Sequence, residues 1–285
     1  MGTGQTLALG AIAGTTIVLG MPLGRMDRPA LTLRLLLNGA AIGILLFLFW
    51  DVLAGAWAPV DGALGAFHAG TGGIGPVLGY ASLFLGGTTT GLMGLVYYER
   101  YLARSTRRGG PGAVGVGDLP TGRRSLTGLT PAGHLAFLIA VGIGLHNFAE
   151  GLAIGSAAAS GEIALATLLV IGFALHNATE GFGIVAPLAA ERGEGEPRPT
   201  WGRLLGLAAI GGVPTFVGTA VGQSFTSAAM SVVFLTLAAG SILYVVMQLL
   251  SVAGRMGRKE LLCWGVLAGL MAGFATDMVV TAGGV

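Results

Sequence analysis

Long apolar runs constrain this sequence more than any other feature. Each run reaches or approaches the length of about 20 residues that a helix needs to cross a bilayer. The eight runs cover residues 4–24, 32–54, 74–99, 131–159, 162–189, 202–223, 229–253 and 260–281. Hydrophobic residues make up 53% of the 285 and charged residues only 10%, whereas about 25% of the residues in soluble domains are charged. The sequence therefore predicts an all-α integral membrane protein with eight transmembrane helices.

The basic residues give an independent test of this count. All 15 lysines and arginines lie in or beside the connections after the first, third, fifth and seventh runs, which share one side of the membrane if every run crosses it. Because basic residues are retained on the inner side, we expect these connections to be cytoplasmic and both termini to be extracytoplasmic. The protein is thus expected in the cell (inner) membrane. Basic residues confined to loops, with a net charge of +2, do not indicate nucleic-acid binding.

Two polar connections divide the chain. Residues 103–130 are rich in Gly and Arg, which predicts a flexible cytoplasmic loop. Residues 191–200 mix Glu, Arg, Gly and Pro and separate the fifth run from the sixth. The spans are therefore expected in a 3+2+3 arrangement within a single transmembrane domain, residues 1–285. The connection after the second run, which carries Asp61 and His68 and no basic residue, is assigned to the outer side.

The fourth and fifth runs carry a repeated polar motif. The first copy is Leu-His-Asn-Phe-Ala-Glu-Gly at 145–151, and the second is Leu-His-Asn-Ala-Thr-Glu-Gly at 175–181. In each copy His and Glu stand at i and i+4, so on a helix they share one face. Both copies lie near the middle of their runs, which a turn at Ser160-Gly161-Glu162 joins, so they fall at the same depth. An ionised carboxylate there costs on the order of 2.5 to 3.5 kcal/mol, and such residues mark function by default.

A divalent metal is the partner that suits this set of side chains. His146, Glu150, His176 and Glu180 offer imidazole and carboxylate ligands, which suit zinc, ferrous iron, manganese or cobalt. The single cysteine, Cys263, excludes a thiolate cluster and so argues against a closed structural zinc site. The neighbouring residues Asn147 and Asn177 are turned by about 100° from their histidines. They could therefore serve an adjoining polar position.

Three other interpretations of the motif stay open at the level of sequence. A lone His and Glu on one helix face could be a self-satisfying buried pair, but two identical copies at one depth disfavour this. An intramembrane metalloenzyme could use such a metal to activate water, although the motif is not His-Glu-x-x-His. A haem-binding electron carrier could use His146 and His176 as axial ligands, which leaves Glu150 and Glu180 unexplained.

The layout of spans and the two central motifs closely resemble the ZIP (Zrt/Irt-like) family of divalent-metal transporters, including its bacterial members. The fourth span of that family typically reads His-Asn-x-Pro-Glu-Gly, and its fifth carries a related His-x-x-x-Glu-Gly. The resemblance implies that His146, Glu150, His176 and Glu180 line the transport site, with Asn147 and Asn177 beside it. It also implies that the two glutamates are shared with a second metal position.

Several positions depart from the family pattern. Ala149 replaces the usual proline of the fourth span, so the helix keeps one more backbone hydrogen bond. Leu45 stands near a Met ligand of some members. Thr215 and Gln248 stand near positions where relatives often carry a carboxylate. These departures predict one strong metal site with a degraded neighbour.

The sequence as a whole predicts a transporter, not an enzyme. Its cargo is expected to be a divalent transition metal, zinc first and then iron, manganese, cobalt or cadmium, moved into the cytoplasm through a midplane site. The expected partners are the metal ion and the lipid bilayer, and a homodimer is possible. No organic cofactor is expected.

Overall fold

The computed structural model describes residues 2–26, 31–106, 130–191, 198–254 and 257–282, and over these ranges the chain is helical apart from its turns. Its helices are α1 (Thr3–Thr15), α2 (Leu31–His68), α3 (Ile74–Thr106), α4 (Pro131–Ala159), α5 (Ile163–Glu191), α6 (Trp201–Gly222), α7 (Ala228–Gly254) and α8 (Lys259–Ala282). The residues that follow α1 continue it as a 3-10 segment, Thr16–Arg25. The prediction of an all-α chain is confirmed.

Six helical segments among the described residues are long and apolar enough to cross a membrane. They are Thr3–Arg25, Asn38–His68, Ile163–Val185, Trp201–Gly222, Ala228–Ser251 and Lys259–Val279. Neither α3 nor α4 is among them. The Gly-Gly-Thr-Thr-Thr-Gly run at 86–91 lowers the hydropathy of α3. The structure therefore supports a multi-pass membrane protein, while the count of eight spans stays a prediction.

The second predicted span ends later than its hydropathy suggests. Helix α2 continues past residue 54 to His68, and Asp61 also lies on it, so the assignment of these two residues to a connection is wrong. The segment 55–68 is rich in Ala, and Pro59 does not break the helix. The helix ends at Gly70, whose φ of 71° is the left-handed conformation that glycine adopts readily. Thr71 N–H donates to Ala66 O and Gly70 N–H to Phe67 O, which is a Schellman motif.

Two other predicted boundaries differ from the structure. The first span is a single helical segment, but its second half is tightened into a 3-10 helix of ten residues that contains Pro22, and such runs are uncommon. Helix α3 extends to Thr106, so the predicted loop at 103–130 begins inside its last turn. The rest of that loop, residues 107–129, lies outside the described residues.

The helices pack in two groups. The first, which we call the motif group, consists of α1 with its 3-10 segment, α4, α5 and α6. In this group α1 and its 3-10 segment pack on α5, and α6 packs on α1 and α4. In the second, the flanking group, α2 packs on α8 and α7, and α3 packs on α7. Contacts of α4 with α7 and of α2 with α5 join the two groups. The largest apolar cluster fills this junction and includes Leu48, Ile154, Phe173 and Leu235.

Candidate metal centre

The turn between α4 and α5 brings the two motifs together. Gly161, with φ of 83°, lets Glu162 N–H donate to Ala157 O and Gly161 N–H to Ala158 O. This Schellman motif reverses the chain in three residues, as the Ser160-Gly161-Glu162 sequence predicts. The two helices then run antiparallel in direct contact. His146 lies 14 residues before Ser160, and His176 lies 15 residues after Gly161. The two motifs are therefore about equally far from the turn and face each other at matching positions.

The structure brings His146, Glu150, His176 and Glu180 into one cluster. His146 Nε2 lies 2.7 Å from Glu180 Oε1, and His176 Nε2 lies 3.3 Å from Glu150 Oε1. Glu180 Oε1 also lies 3.9 Å from His176 Nε2. Each histidine therefore meets the glutamate of the opposite helix more closely than that of its own.

Ligand atoms of His146, Glu150 and His176 all lie within 4.8 Å of one another. Zinc binds imidazole and carboxylate at about 2.0 to 2.2 Å, so two of its ligand atoms are at most about 4.4 Å apart. A contraction of a few tenths of an ångström would suffice for one ion to bind these three residues. Glu180, in contact with both histidines, is placed to supply the fourth ligand.

The cluster is sealed from solvent but not fully hydrogen-bonded. His146, Glu150, His176 and Glu180 are 2%, 0%, 0% and 5% exposed. Both carboxylate oxygens of Glu150 and one oxygen of Glu180 are buried without a hydrogen-bond partner. Buried polar groups are normally satisfied, and an unsatisfied carboxylate is especially costly. The donor set therefore fits a cation that would satisfy these oxygens.

The orientation of His176 is set by its own helix. Its Nδ1–H donates to the carbonyl of Gly172, one turn earlier, over 3.2 Å. The ring of Phe173 packs edge-on against the imidazole, with centroids 5.5 Å apart. With Nδ1 engaged in this way, Nε2 is the nitrogen turned toward the carboxylates. Such outer partners of metal-binding histidines fix both the tautomer and the ring orientation.

The two asparagines of the motif are also fully buried, but they turn toward other helices. Asn147 Nδ2 donates to Gly211 O on α6 over 2.9 Å, and Asn177 Nδ2 donates to Ala13 O on α1 over 2.9 Å. The Oδ1 atom of each is buried without a hydrogen-bond partner. The hydroxyl of Thr215, on α6, is buried and without a partner too. The adjoining polar position that the sequence predicts beside the two asparagines stays a prediction.

The glycine that ends each motif allows another helix to come close. A Cβ on Gly151 would lie 2.1 Å from Thr215 O of α6. A Cβ on Gly181 would lie 2.0 Å from Ile17 O of the 3-10 segment. Both distances are impossible for real atoms, so only glycine permits this approach. The carboxylates of the motif are thereby packed tightly between α4, α5 and the helices that flank them.

A cavity of about 210 Å³ adjoins the cluster on the side of the flanking group. Residues of α3, α4 and α7 line it, including His146, Thr90 and Ser241. The cavity borders the boundary between the two helix groups. His146 is thus the member of the cluster that faces this boundary.

The remaining departures from the family pattern have plain structural settings. Leu45 is buried in the large apolar cluster. Gln248 Nε2 donates to Tyr244 Oη on its own helix over 2.8 Å. Ala149 leaves α4 unbroken from Pro131 to Ala159. Sequence reasoning missed the carbonyls of Gly172, Ala13 and Gly211, because a backbone acceptor leaves no residue-type signal.

The comparison with family models decides the affiliation. A model described as ZIP Zinc transporter matches residues 121–279, more than half of the chain and inclusive of both motifs. The chain belongs to the ZIP zinc transporter family. No curated protein matches the chain. ZIP membership confirms the resemblance of the motifs, implies transport of a divalent metal, and identifies a transporter family instead of an enzyme family.

Proposed function

We propose that this ZIP chain carries a divalent transition metal ion, zinc first among the candidates, across the cell membrane into the cytoplasm. His146, Glu150, His176 and Glu180 hold the ion in transit. The observation that carries the proposal is their burial as one cluster with three carboxylate oxygens lacking a hydrogen-bond partner. A divalent cation supplies what these oxygens lack.

Charge supports one ion in this cluster. The two glutamates together carry a charge of about −2 when ionised, and a single divalent ion neutralises it. Asn147 and Asn177 add oxygen atoms without adding charge. The adjoining position would have the two amide oxygens and the Thr215 hydroxyl, and it would share the two glutamates with the main site. Hard oxygen ligands without further charge hold transition metals poorly. The adjoining position is therefore a weaker metal site than the main one.

The packing supports movement of the motif group against the flanking group. Within the motif group, glycines bring helices together backbone to backbone, as at Gly14 of α1 against Gly212 O of α6. Across the junction, by contrast, a Cβ on Gly172 of α5 would meet the side chain of Leu48 of α2. Backbone contacts interlock helices, whereas side-chain ends can slide and change rotamer. Alternating access would then carry the ion from one face to the other with the motif group.

The orientation that we propose for the chain in the membrane follows from its distribution of basic residues. The eight helices cross the membrane in a 3+2+3 order, with the Arg-rich connections inside and both termini outside. The described basic residue Arg25, at the end of the 3-10 segment, donates to Pro199 O and stacks over the ring of Trp201. This contact ties the proposed cytoplasmic ends of the first and sixth spans together.

Metal uptake into vesicles tests the proposal. Uptake of zinc, iron, manganese, cobalt and cadmium is measured for the wild type and for the Glu180→Ala variant, each reconstituted into vesicles. We expect wild-type uptake of zinc and loss of uptake in the variant, because Glu180 contacts both histidines. Glu162→Ala is the matched control, since Glu162 is exposed in the turn after α4 and its loss should leave uptake unchanged. Unchanged uptake in Glu180→Ala would overturn the proposal.

The two alternative interpretations receive no support. Glu180 bonds directly to His146, and Glu150 lies beside His176, where a haem ring bound by both histidines would have to fit. A metalloenzyme is disfavoured because the family is one of transporters. A colourless purified protein that binds zinc is the expected finding.

A further inference from the structure

The chain contains three asparagines, Asn38, Asn147 and Asn177, and each of them donates its side-chain amide to a backbone carbonyl of another helix. We infer that Asn147 and Asn177 are positioning residues of the metal centre. Their NH₂ groups clamp the two motif helices onto α6 and α1, and this donor is the property that the motif requires at these positions. The inference deepens the proposed function and rests on it for the metal that is bound.

The clamp is built twice in the same way. Asn147 donates to Gly211 O, and the glycine four residues later, Gly151, packs against the carbonyl of Thr215, four residues after Gly211. Asn177 and Gly181 repeat this pattern against Ala13 and Ile17, again four residues apart. In both places an amide hydrogen bond and a glycine contact one turn later together fix the register, of α4 on α6 and of α5 on the first span. His and Glu of each motif lie on the same helix as the clamp, so their positions follow from it.

The two acceptor carbonyls lie close to irregularities in their own helices. Ala13 lies three residues before the start of the 3-10 segment, and its carbonyl also accepts the Thr16 hydroxyl over 2.7 Å. Gly211 lies three residues before Pro214, which lacks an N–H and disturbs the ladder of hydrogen bonds. A backbone carbonyl has two lone pairs, so it can accept a side-chain donor beside its own helical hydrogen bond.

Burial makes the chemical identity of the donor important. Both asparagines are 0% exposed, so a lost hydrogen bond is not replaced by water. An aspartate at position 177 would place a carboxylate oxygen about 2.9 Å from the Ala13 carbonyl, where the amide nitrogen now lies. Two acceptors then face each other, and a further negative charge is added beside Glu150 and Glu180. The Oδ1 atom, by contrast, would be retained.

This difference separates a clamp from a simple ligand. If Oδ1 alone mattered, Asn177→Asp would bind metal as well as wild type or more tightly, because a carboxylate is the stronger ligand. If the NH₂ clamp matters, the same change weakens binding by about tenfold or more, as loss of an outer-shell partner does. Asn147→Asp should also weaken binding, since its amide donates to Gly211 O and its side chain also interacts with Glu180.

Cobalt or zinc affinity of the purified full-length chain is the first measurement. Asn38→Asp is the matched control, because Asn38 also donates to a carbonyl of another helix, Leu249 O over 3.4 Å, but is not part of the motif. Its metal affinity should stay within about twofold of wild type. Wild-type or tighter binding by Asn177→Asp and Asn147→Asp overturns the inference while leaving the proposed function intact, since Glu180→Ala tests the latter.

A second measurement reports helix position without any metal. A Cβ on Gly24 of the 3-10 segment would lie 2.7 Å from Val185 Cβ of α5, about 1 Å closer than the Cβ atoms of a disulfide. Gly24→Cys and Val185→Cys can therefore be bridged after a small local shift, once Cys263→Ser removes the native thiol. We expect Asn177→Asp to reduce cross-linking and Asn147→Asp to leave it unchanged, because only Asn177 holds this pair of helices. Asn177→Ala removes the donor without adding charge and should reduce cross-linking equally. Wild-type cross-linking in Asn177→Ala overturns the inference.

Discussion

His146 Nε2 lies 2.7 Å from Glu180 Oε1 across the interface of α4 and α5. A carboxylate oxygen accepts, so the hydrogen of this bond belongs to the histidine nitrogen, and the same nitrogen must release it before it can bind a metal. Glu180 is the centre of the cluster, since it also approaches His176 to 3.9 Å. Metal binding is therefore an exchange in which the cation takes the place of a histidine hydrogen.

This exchange predicts that metal binding weakens in acid. Imidazole binds metal only in its deprotonated form, so protons and metal compete for His146 and His176. Each further unit of acidity therefore raises the proton's share of these two imidazoles. We expect the apparent zinc affinity to fall steadily from pH 8 toward pH 5, as measured by titration of purified protein with a fluorescent zinc indicator. Affinity that is flat over this range would contradict the exchange.

Glu150→Gln should remove most of the stabilisation that metal confers. Both carboxylate oxygens of Glu150 lack a hydrogen-bond partner, and one lies 3.3 Å from His176 Nε2. At a zinc concentration of 100 times Kd, wild type gains about 2.7 kcal/mol on binding. A variant whose Kd is a hundred times weaker gains only about 0.4 kcal/mol at the same concentration. The measurement is thermal unfolding with and without zinc.

The control for this experiment is Glu162→Gln. Glu162 is exposed and lies outside the cluster, so this variant should show the full rise of Tm with zinc. An equal rise in Glu150→Gln would show that Glu150 does not contribute to binding.

The central pair of helices could be predicted almost completely from the sequence. The i, i+4 spacing and the Ser160-Gly161-Glu162 turn are local features, and together they place the two motifs face to face. The crossed pairing of His146 with Glu180 and of His176 with Glu150 could not be predicted in this way. It depends on the rotation of α4 against α5, which packing decides.

The ends of the helices were predicted less well, for a physical reason. Hydropathy measures how far a segment can lie in lipid, whereas a helix continues until its hydrogen-bond ladder is stopped. Helix α2 therefore runs on to His68 and the Schellman motif at Gly70. The 3-10 geometry of Thr16–Arg25 likewise depends on packing against α5, where Gly20 lies against the Ala178 carbonyl, and has no signature in composition.

Two glycines of α5 provide a matched pair for testing the tight packing beside the metal centre. A Cβ on Gly181 would lie 2.0 Å from the backbone oxygen of Ile17, whereas a Cβ on Gly183 would meet no atom within 4 Å. Overpacking of this kind destabilises by about 1–3 kcal/mol. We expect Gly181→Ala to lower Tm and zinc uptake and Gly183→Ala to leave both nearly unchanged. Equal behaviour of the two variants would contradict the close approach of the 3-10 segment to α5.

The proposed topology can be tested by labelling single cysteines in a Cys263→Ser background. Ser160 and Glu260 are both exposed, and three predicted spans separate them, so they should lie on opposite sides of the membrane. An impermeant maleimide added to intact cells should label Ser160→Cys, whereas Glu260→Cys should react only after permeabilisation. Labelling of both from one side would contradict the orientation.

The same method decides whether α3 and α4 cross the membrane, since neither helix is among the six apolar segments of the described residues. A cysteine in the connection between them, Ser125→Cys, should react only after permeabilisation. Ala69→Cys, in the exposed turn after α2, should react in intact cells, as should Ser160→Cys. If all three react from outside, neither helix crosses, and the arrangement of spans must be revised even though the metal cluster between α4 and α5 stays as it is.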